Sequence, residues 1–197
     1  RLALEKYGQS FKTMAITING NGTVTGISVG GLPDGIVDTD MLATNAASAV
    51  KRGAGSTLQC LHMTTTSDVS SNDHTAWVDS GLTQAITMTA ASNKVLIMAN
   101  LFVYINCSGA SNIGAYAKLL RGSTALGSAN GIAAHFPLPA DSAEDAQAMI
   151  PVMFYDTPGA GTHTYKVQGK PYSADNDLTM QGGGDMYSTL TLLEIAV

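Results

Sequence analysis

The segment Tyr187-Ser188-Thr189-Leu190-Thr191-Leu192-Leu193-Glu194-Ile195 alternates polar and apolar residues, which is typical of a β-strand with one buried face. A second segment, Val95–Ile105, is apolar on both sides of the same two-residue period. A strand of that kind is covered on both of its faces. We therefore expect one face of Val95–Ile105 to lie in the core and the other to contact another subunit.

Further strands are predicted wherever segments with strand-like patterns lie between clusters of Gly, Pro, Asn, Asp and Ser. From residue 56 to residue 197 the pattern shows no convincing helical period. The predicted strands are Ser56–Thr66, Leu82–Ala91, Lys94–Asn106, Ile113–Arg121, Thr124–Ala129, Ala148–Tyr155, Thr162–Gly169 and Asp185–Val197, with a short further strand near Trp77. Eight antiparallel strands in about 140 residues predict a mainly β head domain at 56–197, folded as a two-sheet jelly-roll sandwich.

Residues 1–55 are predicted to form a stalk-like connector that precedes the head domain. Two Asn-Gly dipeptides at residues 19–22 predict the turn of a β-hairpin between strands at 14–18 and 23–29. A lone two-stranded hairpin is barely stable in water. We therefore expect the hairpin to pack on the next domain or on copies of itself in other chains.

A short helix is predicted in the same connector, capped by Asp38 or Thr39 and ended by Gly53. Its apolar stripe is narrow and consists mostly of small residues. The stripe residues that we expect at an interface between chains are Leu42, Ala46 and Ala49. Small side chains suit close packing around a symmetry axis, and a linker helix lying on its own domain is an equally open interpretation.

Charged residues are scarce in the chain. They make up 13% of its 197 residues, against about 25% in ordinary soluble domains. The net charge of −5 and the scattered basic residues argue against a nucleic-acid partner. The longest apolar run, Val95–Ile105, is too short to cross a bilayer as a helix, so membrane insertion is not expected.

The candidate chemical groups give weak signals. Two cysteines, Cys60 and Cys107, cannot form a disulfide framework or a four-cysteine zinc site. One bridge between them is an open alternative, and two buried thiols are favoured. His62 alternates with Cys60 on one predicted strand, but two ligands without a further metal-binding spacing favour packed strand residues.

Catalysis has little support in the sequence. No Gly-x-Ser-x-Gly elbow occurs, and the run Gly182-Gly183-Gly184-Asp185 lacks the Lys-Ser/Thr of a phosphate-binding loop. Carboxylate pairs that could cleave glycans are limited to Asp141 with Glu144 or Asp145, and Asp175 with Asp177. Both sets lie in polar loops without an evident aromatic platform. We therefore expect no enzymatic activity, and Trp77 is interpreted as a core or sheet-edge residue.

Several motifs resemble those of a known group of virion proteins. The Gly31-Leu32-Pro33-Asp34-Gly35 and Lys51-Arg52-Gly53 segments resemble a junction of bacteriophage tail fibres. Tyr155-Asp156-Thr157-Pro158-Gly159 and the closing Ser188–Ile195 segment resemble strands of trimeric fibre heads, which are similar to complement-type and tumour-necrosis-factor-like jelly rolls. The resemblance covers roughly residues 14–55 and 76–197. It brings no catalytic residues with it.

This resemblance implies a homotrimeric tail-fibre protein that is assembled in the host cytoplasm and carried by the virion. Its implied partners are a host cell-surface receptor or glycan and other tail proteins of the virion. Two alternatives stay open. One is a purely structural virion component, such as a capsid fibre, adaptor or decoration protein, and the other is a depolymerase of surface polysaccharide.

Strand directions predict where a receptor would bind. Alternating strands place the connections 67–81, 107–112, 130–147 and 170–184 at one end of the head, and these hold eight of the 15 acidic residues. That charge disfavours anionic surface groups, so a neutral or basic receptor, or a divalent cation as a bridge, is expected. No other cofactor is predicted. The residues chosen as receptor contacts are Tyr172, Asp175, Asp177 and Gln181. The alternative is that the acidic residues only keep these exposed loops soluble.

Overall fold

The chain divides into two compact units, Arg1–Ala46 and Ala47–Val197. The structure, a computed structural model, describes residues 17–18, 24–25, 53–109, 112–137, 144–182 and 186–197. In the first unit, β1 (Thr17–Ile18) pairs antiparallel with β2 (Val24–Thr25), which confirms the predicted hairpin in these four residues. The predicted helix, with Leu42, Ala46 and Ala49, lies outside the described residues.

The described part of the second unit consists of strands and their connections. Polar and apolar residues alternate with a two-residue period, and turn residues divide the alternating segments. Extended strands rather than helices therefore form. The strands are β3 (Thr57–Thr65), β4 (Val69–Ser71), β5 (Val78–Met88), β6 (Lys94–Cys107), β7 (Asn112–Arg121), β8 (Thr124–Leu126), β9 (Ile132–Pro137), β10 (Glu144–Asp156), β11 (Gly161–Pro171), β12 (Asn176–Met180) and β13 (Ser188–Ile195). None of the described segments is a helix that is long and apolar enough to span a membrane.

Sheet I is built around β6. One edge of β6 pairs along its whole length with β10, and the other edge pairs with β13 in its first half and β12 in its second half. Strands β12 and β13 therefore act as one strand that is interrupted between Met180 and Ser188. Strands β4 and β3 continue the sheet beyond them in the same way.

Sheet II has the order β5, β11, β7, with β8 and β9 sharing the far edge of β7. Each sheet thus has four strand positions, and every pairing is antiparallel. This order over two packed sheets is that of a jelly roll. The predicted mainly β sandwich of about eight strands is confirmed.

Three short strands, β4, β9 and β12, are not predicted from the sequence. Each lies along an edge of a longer strand, which offers unpaired backbone N–H and C=O groups. These strands form because their backbone groups hydrogen-bond to that edge, although the polar–apolar alternation of their own residues is short.

The core lies between the two sheets and follows the alternation of each strand. On β6, Val95, Ile97, Leu101 and Ile105 are fully buried, while Leu96 on the opposite face is only partly buried. Burying each of these aliphatic side chains contributes about 1.5–3 kcal/mol. The interpretation of β6 as a strand with one core face is confirmed.

Polar side chains also link the two sheets. Asp156 at the end of β10 accepts hydrogen bonds from Arg121 of β7 and from Tyr165 Oη of β11, both at 2.7 Å. At the opposite end, Asn176 of β12 accepts from Gly114 N of β7 at 2.7 Å. These bonds satisfy buried polar groups, which are otherwise costly in the interior.

The two cysteines differ from the expectation that both are buried. Cys107 is buried on the inner face of β6, but Cys60 is exposed, and neither forms a disulfide. Cys60 lies opposite Leu193 on the outer face of sheet I, because the period of β3 turns it away from the core. The buried-thiol prediction is therefore wrong for Cys60.

Candidate functional site

The strand ends that flank four connections lie at one end of the sandwich, which we call the loop end. These connections join β4 to β5, β6 to β7, β9 to β10 and β11 to β12, as the strand pairings require. The prediction that these connections share one end is confirmed for the strand ends that the structure describes, but Gln181 of the predicted loop 170–184 lies opposite Phe102, within sheet I. Two of the predicted loops are shorter than expected, because 132–137 and 176–180 are strands.

The four predicted receptor contacts do not form one patch. Asp175 and Asp177 are exposed at the loop end on either side of the buried Asn176. Tyr172 is half-buried and stacks on Tyr116, with ring centroids 5.4 Å apart and planes inclined by 15°. It therefore belongs to the side of sheet II.

Gln181 lies in the interior, fully buried, with a positive φ of 61°. It occupies the interruption between β12 and β13, where its backbone N–H donates to Phe102 O at 3.1 Å. Its side-chain amide is hydrogen-bonded to Ser188 Oγ at 2.8 Å, and the amide orientation that satisfies all partners also donates to Ser67 O at 3.1 Å. Gln181 ties together the two interrupted strands of sheet I, and we leave it out of the receptor contacts.

Two acidic residues near the loop end, Asp145 and Asp73, are hydrogen-bonded to their own neighbours. Asp145 accepts hydrogen bonds from Tyr104 Oη and Asn106 Nδ2, both at 2.6 Å, and its bond to Tyr104 raises the pKa of that phenol. Asp73 accepts from the Thr75 hydroxyl and backbone, which lowers the pKa of Asp73. These are turn and cross-strand contacts rather than a convergent set of ligands.

The divalent-cation hypothesis gains no geometric support. Among the described residues, no group of three or more His, Cys, Asp and Glu side chains could hold a metal ion. Asp177 borders an open hollow of about 420 Å³ between β4 and β12, lined otherwise by residues with small or uncharged side chains. Asp141 of the predicted loops and Asp185, which follows them, lie outside the described residues.

An aromatic and cationic cluster covers part of the outer face of sheet II next to the loop end. It consists of Trp77, Tyr116, Tyr172, Lys118 and Lys170, and we call it the aromatic–lysine patch. Trp77 meets Tyr116 edge to face, with centroids 6.3 Å apart and planes at 67°. Lys118 Nζ lies 4.1 Å from the Trp77 ring centroid, and Lys170 Nζ lies 5.2 Å from both the Trp77 and the Tyr116 centroids.

Backbone geometry gives Trp77 its place in this patch. Gly131, with a φ of +72°, lies directly beside the indole, and a Cβ at this position would lie 2.7 Å from Trp77 Cη2. Only glycine leaves the indole room there and adopts this backbone conformation without strain. Trp77 thus lies against Gly131 as a half-buried residue.

Sequence reasoning does not find this patch, because its members come from three separate parts of the chain. The pairing of β11 with β7 sets Lys170 opposite Tyr116, and β5 starts beside them on the other edge of β11. The two-residue spacings Tyr116–Lys118 and Lys170–Tyr172 do place each pair on one strand face. That spacing was the available signal, but it does not show that the pairs are neighbours.

A second surface lies on the outer face of sheet I. Leu96 of β6 is set between Leu193 of β13 and Tyr155 of β10, and Met153 lies opposite Met98 in the next row. We call the residues of this face the apolar strip: Leu96, Met98, Met149, Met153, Tyr155 and Leu193. Met153 is 69% exposed and Tyr155 54%. A contiguous exposed apolar surface of this kind marks an interaction site more often than solvent-facing structure.

Comparison with known proteins does not assign the chain to a family. No protein-family model matches it, and no curated protein sequence is similar to it. The chain is similar to solved structures that include that of the infectious bursal disease virus Gx strain, at 13% sequence identity and a TM-score of 0.24. They also include that of the Gt strain, at 12% identity and a TM-score of 0.23. Each match covers 84% of this chain and 43% of the other, so the chain spans less than half of those proteins. At these scores the similarity carries no argument.

Proposed function

We propose that this chain is the head of a virion attachment protein of the tail-fibre kind. Three copies associate through the apolar strip of sheet I, and the loop end binds the surface of the host cell. The observation that carries the proposal is the exposed apolar strip on the outer face of sheet I. The motifs that resemble tail fibres point in the same direction, and they also imply contacts with other tail proteins.

A second copy of the same chain is the occupant that suits the strip best. The strip holds aliphatic, Met and Tyr side chains, with Asn100 and Pro151 as the next row, so no charge must be removed from water at its centre. Each copy offers the same apolar area, so strips that meet around a shared axis can bury one another. Around a threefold axis, sheet I then faces the axis while sheet II and the loop end face outwards.

The oligomeric state tests the assembly. We expect the full chain to sediment as a trimer of about 61 kDa, three times the chain mass of 20.3 kDa, and Met153→Lys to sediment as a folded monomer because it places a charge within the strip. Ala85→Lys, an exposed position on β5 of sheet II, is the matched control and stays trimeric. A folded wild-type monomer at micromolar concentration contradicts the assembly, and a dimer contradicts its threefold symmetry.

Attachment needs its own measurement. Fluorescently labelled trimer is applied to a panel of bacterial strains, and strains that bind it are tested for protection from infection by the phage that carries this protein. We expect binding and protection to coincide, and to weaken with the monomeric Met153→Lys variant because three sites per particle supply avidity. A trimer that binds no strain but is incorporated into particles supports a structural virion component instead.

A further inference from the structure

The outer face of sheet II concentrates the positive charge of the head. Between residues 53 and 197 the chain has five Lys and Arg residues, of which Lys118, Lys166 and Lys170 lie on this one face. They stand within a chain of net charge −5. The positive charge is therefore local, and it lies beside a loop end that is otherwise acidic.

This charge is only partly neutralised. Lys166 pairs with Asp79 at 3.0 Å, and Asp79 also accepts from Gln168 at 2.7 Å. Among the described residues, neither Lys118 nor Lys170 forms an ion pair. Both ammonium groups contact the aromatic rings of the patch instead.

The lysines also repel one another. Burial lowers the pKa of Lys118, and the positive charges of Lys170 and Lys166 lower it further. An anion placed between Lys118 and Lys170 would remove this repulsion. A site with unbalanced positive charge favours a ligand of opposite charge.

The aromatic members supply a second kind of contact. Trp77, Tyr116 and Tyr172 form a continuous half-buried surface on a sheet face, whereas the outer face of sheet II nearer the other end carries residues such as Thr87 and Thr162, which bond to each other. Aromatic surfaces with a few convergent polar groups are typical of ligand sites.

We propose that the aromatic–lysine patch binds an acidic saccharide, with the apolar face of a sugar ring against the aromatic side chains and its carboxylate or sulfate between Lys118 and Lys170. The proposal rests on the proposed function for the source of the saccharide, a glycan of the host surface. This proposal replaces the expectation that the acidic loops exclude anionic sugars. The patch lies beside those loops, on the outer face of sheet II, where the local charge is positive rather than negative. In the proposed trimer, sheet II faces outwards and leaves the patch accessible.

Trp77 is the single tryptophan of the chain, so its fluorescence reports directly on the patch. We titrate the full chain with galacturonic acid hexamer and with heparin hexasaccharide, and with neutral maltohexaose as the uncharged control. A saturable change in emission is expected with at least one acidic probe, and it weakens between about 20 mM and 300 mM salt because exposed charges are screened. Maltohexaose is expected to bind at least about tenfold more weakly.

Variants separate charge from aromatic contact. The double variant Lys118→Gln with Lys170→Gln is expected to lower the affinity for the acidic probe about tenfold or more. Tyr172→Ala is expected to lower this affinity without changing its salt dependence. Lys94→Gln, which removes a lysine bonded to Thr157 at the other end of the sandwich, is the control and keeps the wild-type affinity within about twofold.

The proposal is overturned if neither acidic probe gives a saturable change, if maltohexaose binds as tightly, or if inorganic phosphate competes at the concentration of the hexamer. It is also overturned if the double lysine variant binds like the wild type. A chain that binds bacteria but no acidic saccharide refutes this inference and leaves the attachment function standing. A chain that binds the saccharide but does not trimerise or attach refutes the proposed function alone.

Discussion

Replacement of Glu194 tests how the sandwich is held closed at the end opposite the loops. Glu194 on β13 is fully buried. Its Oε1 accepts from Thr89 N and Thr89 Oγ1, both at 2.8 Å, and from Asn93 Nδ2 at 2.7 Å, while Oε2 accepts from Gln59 Nε2 at 2.5 Å. Burial opposes the charge of Glu194, but these hydrogen bonds outweigh it and hold the pKa of Glu194 below its usual range.

The cost of losing this carboxylate follows from its partners. Hydrogen bonds to a charged group are worth about 1.5–3 kcal/mol each, but Gln59 Nε2 keeps its bond to Thr87 O at 2.7 Å and Asn93 Nδ2 keeps Thr89 Oγ1 at 3.0 Å. We therefore expect Glu194→Ala to lower the free energy of unfolding by about 3–4 kcal/mol. Glu194→Gln keeps the shape but sets an amide N–H against the donors, and we expect it to cost about 2 kcal/mol.

Urea unfolding at a fixed protein concentration measures this effect. With a slope of about 2 kcal/mol per molar urea, Glu194→Gln is expected to lower the midpoint by about 1 M. Glu144→Gln, at an exposed position of β10, is the matched control and is expected to change it by less than about 0.25 M.

The pH dependence of the free energy of unfolding tests whether the ionised form of Glu194 is the stabilising one. Since the pKa of Glu194 is depressed in the folded chain, its contribution is present above about pH 4.5, the ordinary range of glutamate, and is lost as the pH falls through the folded-state pKa. The difference between wild type and Glu194→Gln should therefore shrink on acidification. Equal stability of the two proteins at pH 7, or a difference that stays constant down to pH 3, would refute the reasoning.

Three further predictions concern single residues. Gly131→Ala is expected to cost about 2 kcal/mol, because its φ is positive and a Cβ would clash with Ala117 O and lie 2.7 Å from the indole of Trp77. Urea unfolding measures the cost, a shifted Trp77 emission shows that the patch is disturbed, and wild-type values of both contradict the prediction. Tyr165→Phe removes the bond to Asp156 and should cost about 1–2 kcal/mol at pH 7. Burial and then Asp156 raise the pKa of Tyr165, so the wild type should lose stability above about pH 10 and the variant should lose less, a difference that thermal melts at pH 9 and 11 will detect or exclude. In the Met153→Lys monomer, a thiol reagent should label the exposed Cys60 and leave the second thiol unreactive until urea is added, and labelling of both thiols in the native chain counts against the fold.

Much of the fold follows from local sequence. A strand turns successive side chains to opposite faces, so the alternation in Ser188–Ile195 and the doubly apolar Val95–Ile105 were enough to predict the strands and their core faces. Gly, Pro and Asn runs marked most strand ends, and counting directions placed four connections at one end. All of these are properties of a few neighbouring residues.

The candidate site was not accessible in the same way. Tyr172 is predicted from the sequence as a receptor contact. The other members of the patch come together with it only through the pairing of β11 with β7 and β5. Gln181 was chosen for a glycine-rich loop, yet it is buried where two strands are interrupted. Register and burial depend on which distant strand supplies the hydrogen bonds.

The sequence by itself therefore determined the class of fold, the longer strands and the low charge of the head. The tertiary structure decided which outward-facing residues share a surface, and so where the apolar strip and the aromatic–lysine patch lie. The physical reason is that side-chain alternation is set within one strand, whereas a surface is assembled across several strands whose order and register are set by long-range backbone pairing.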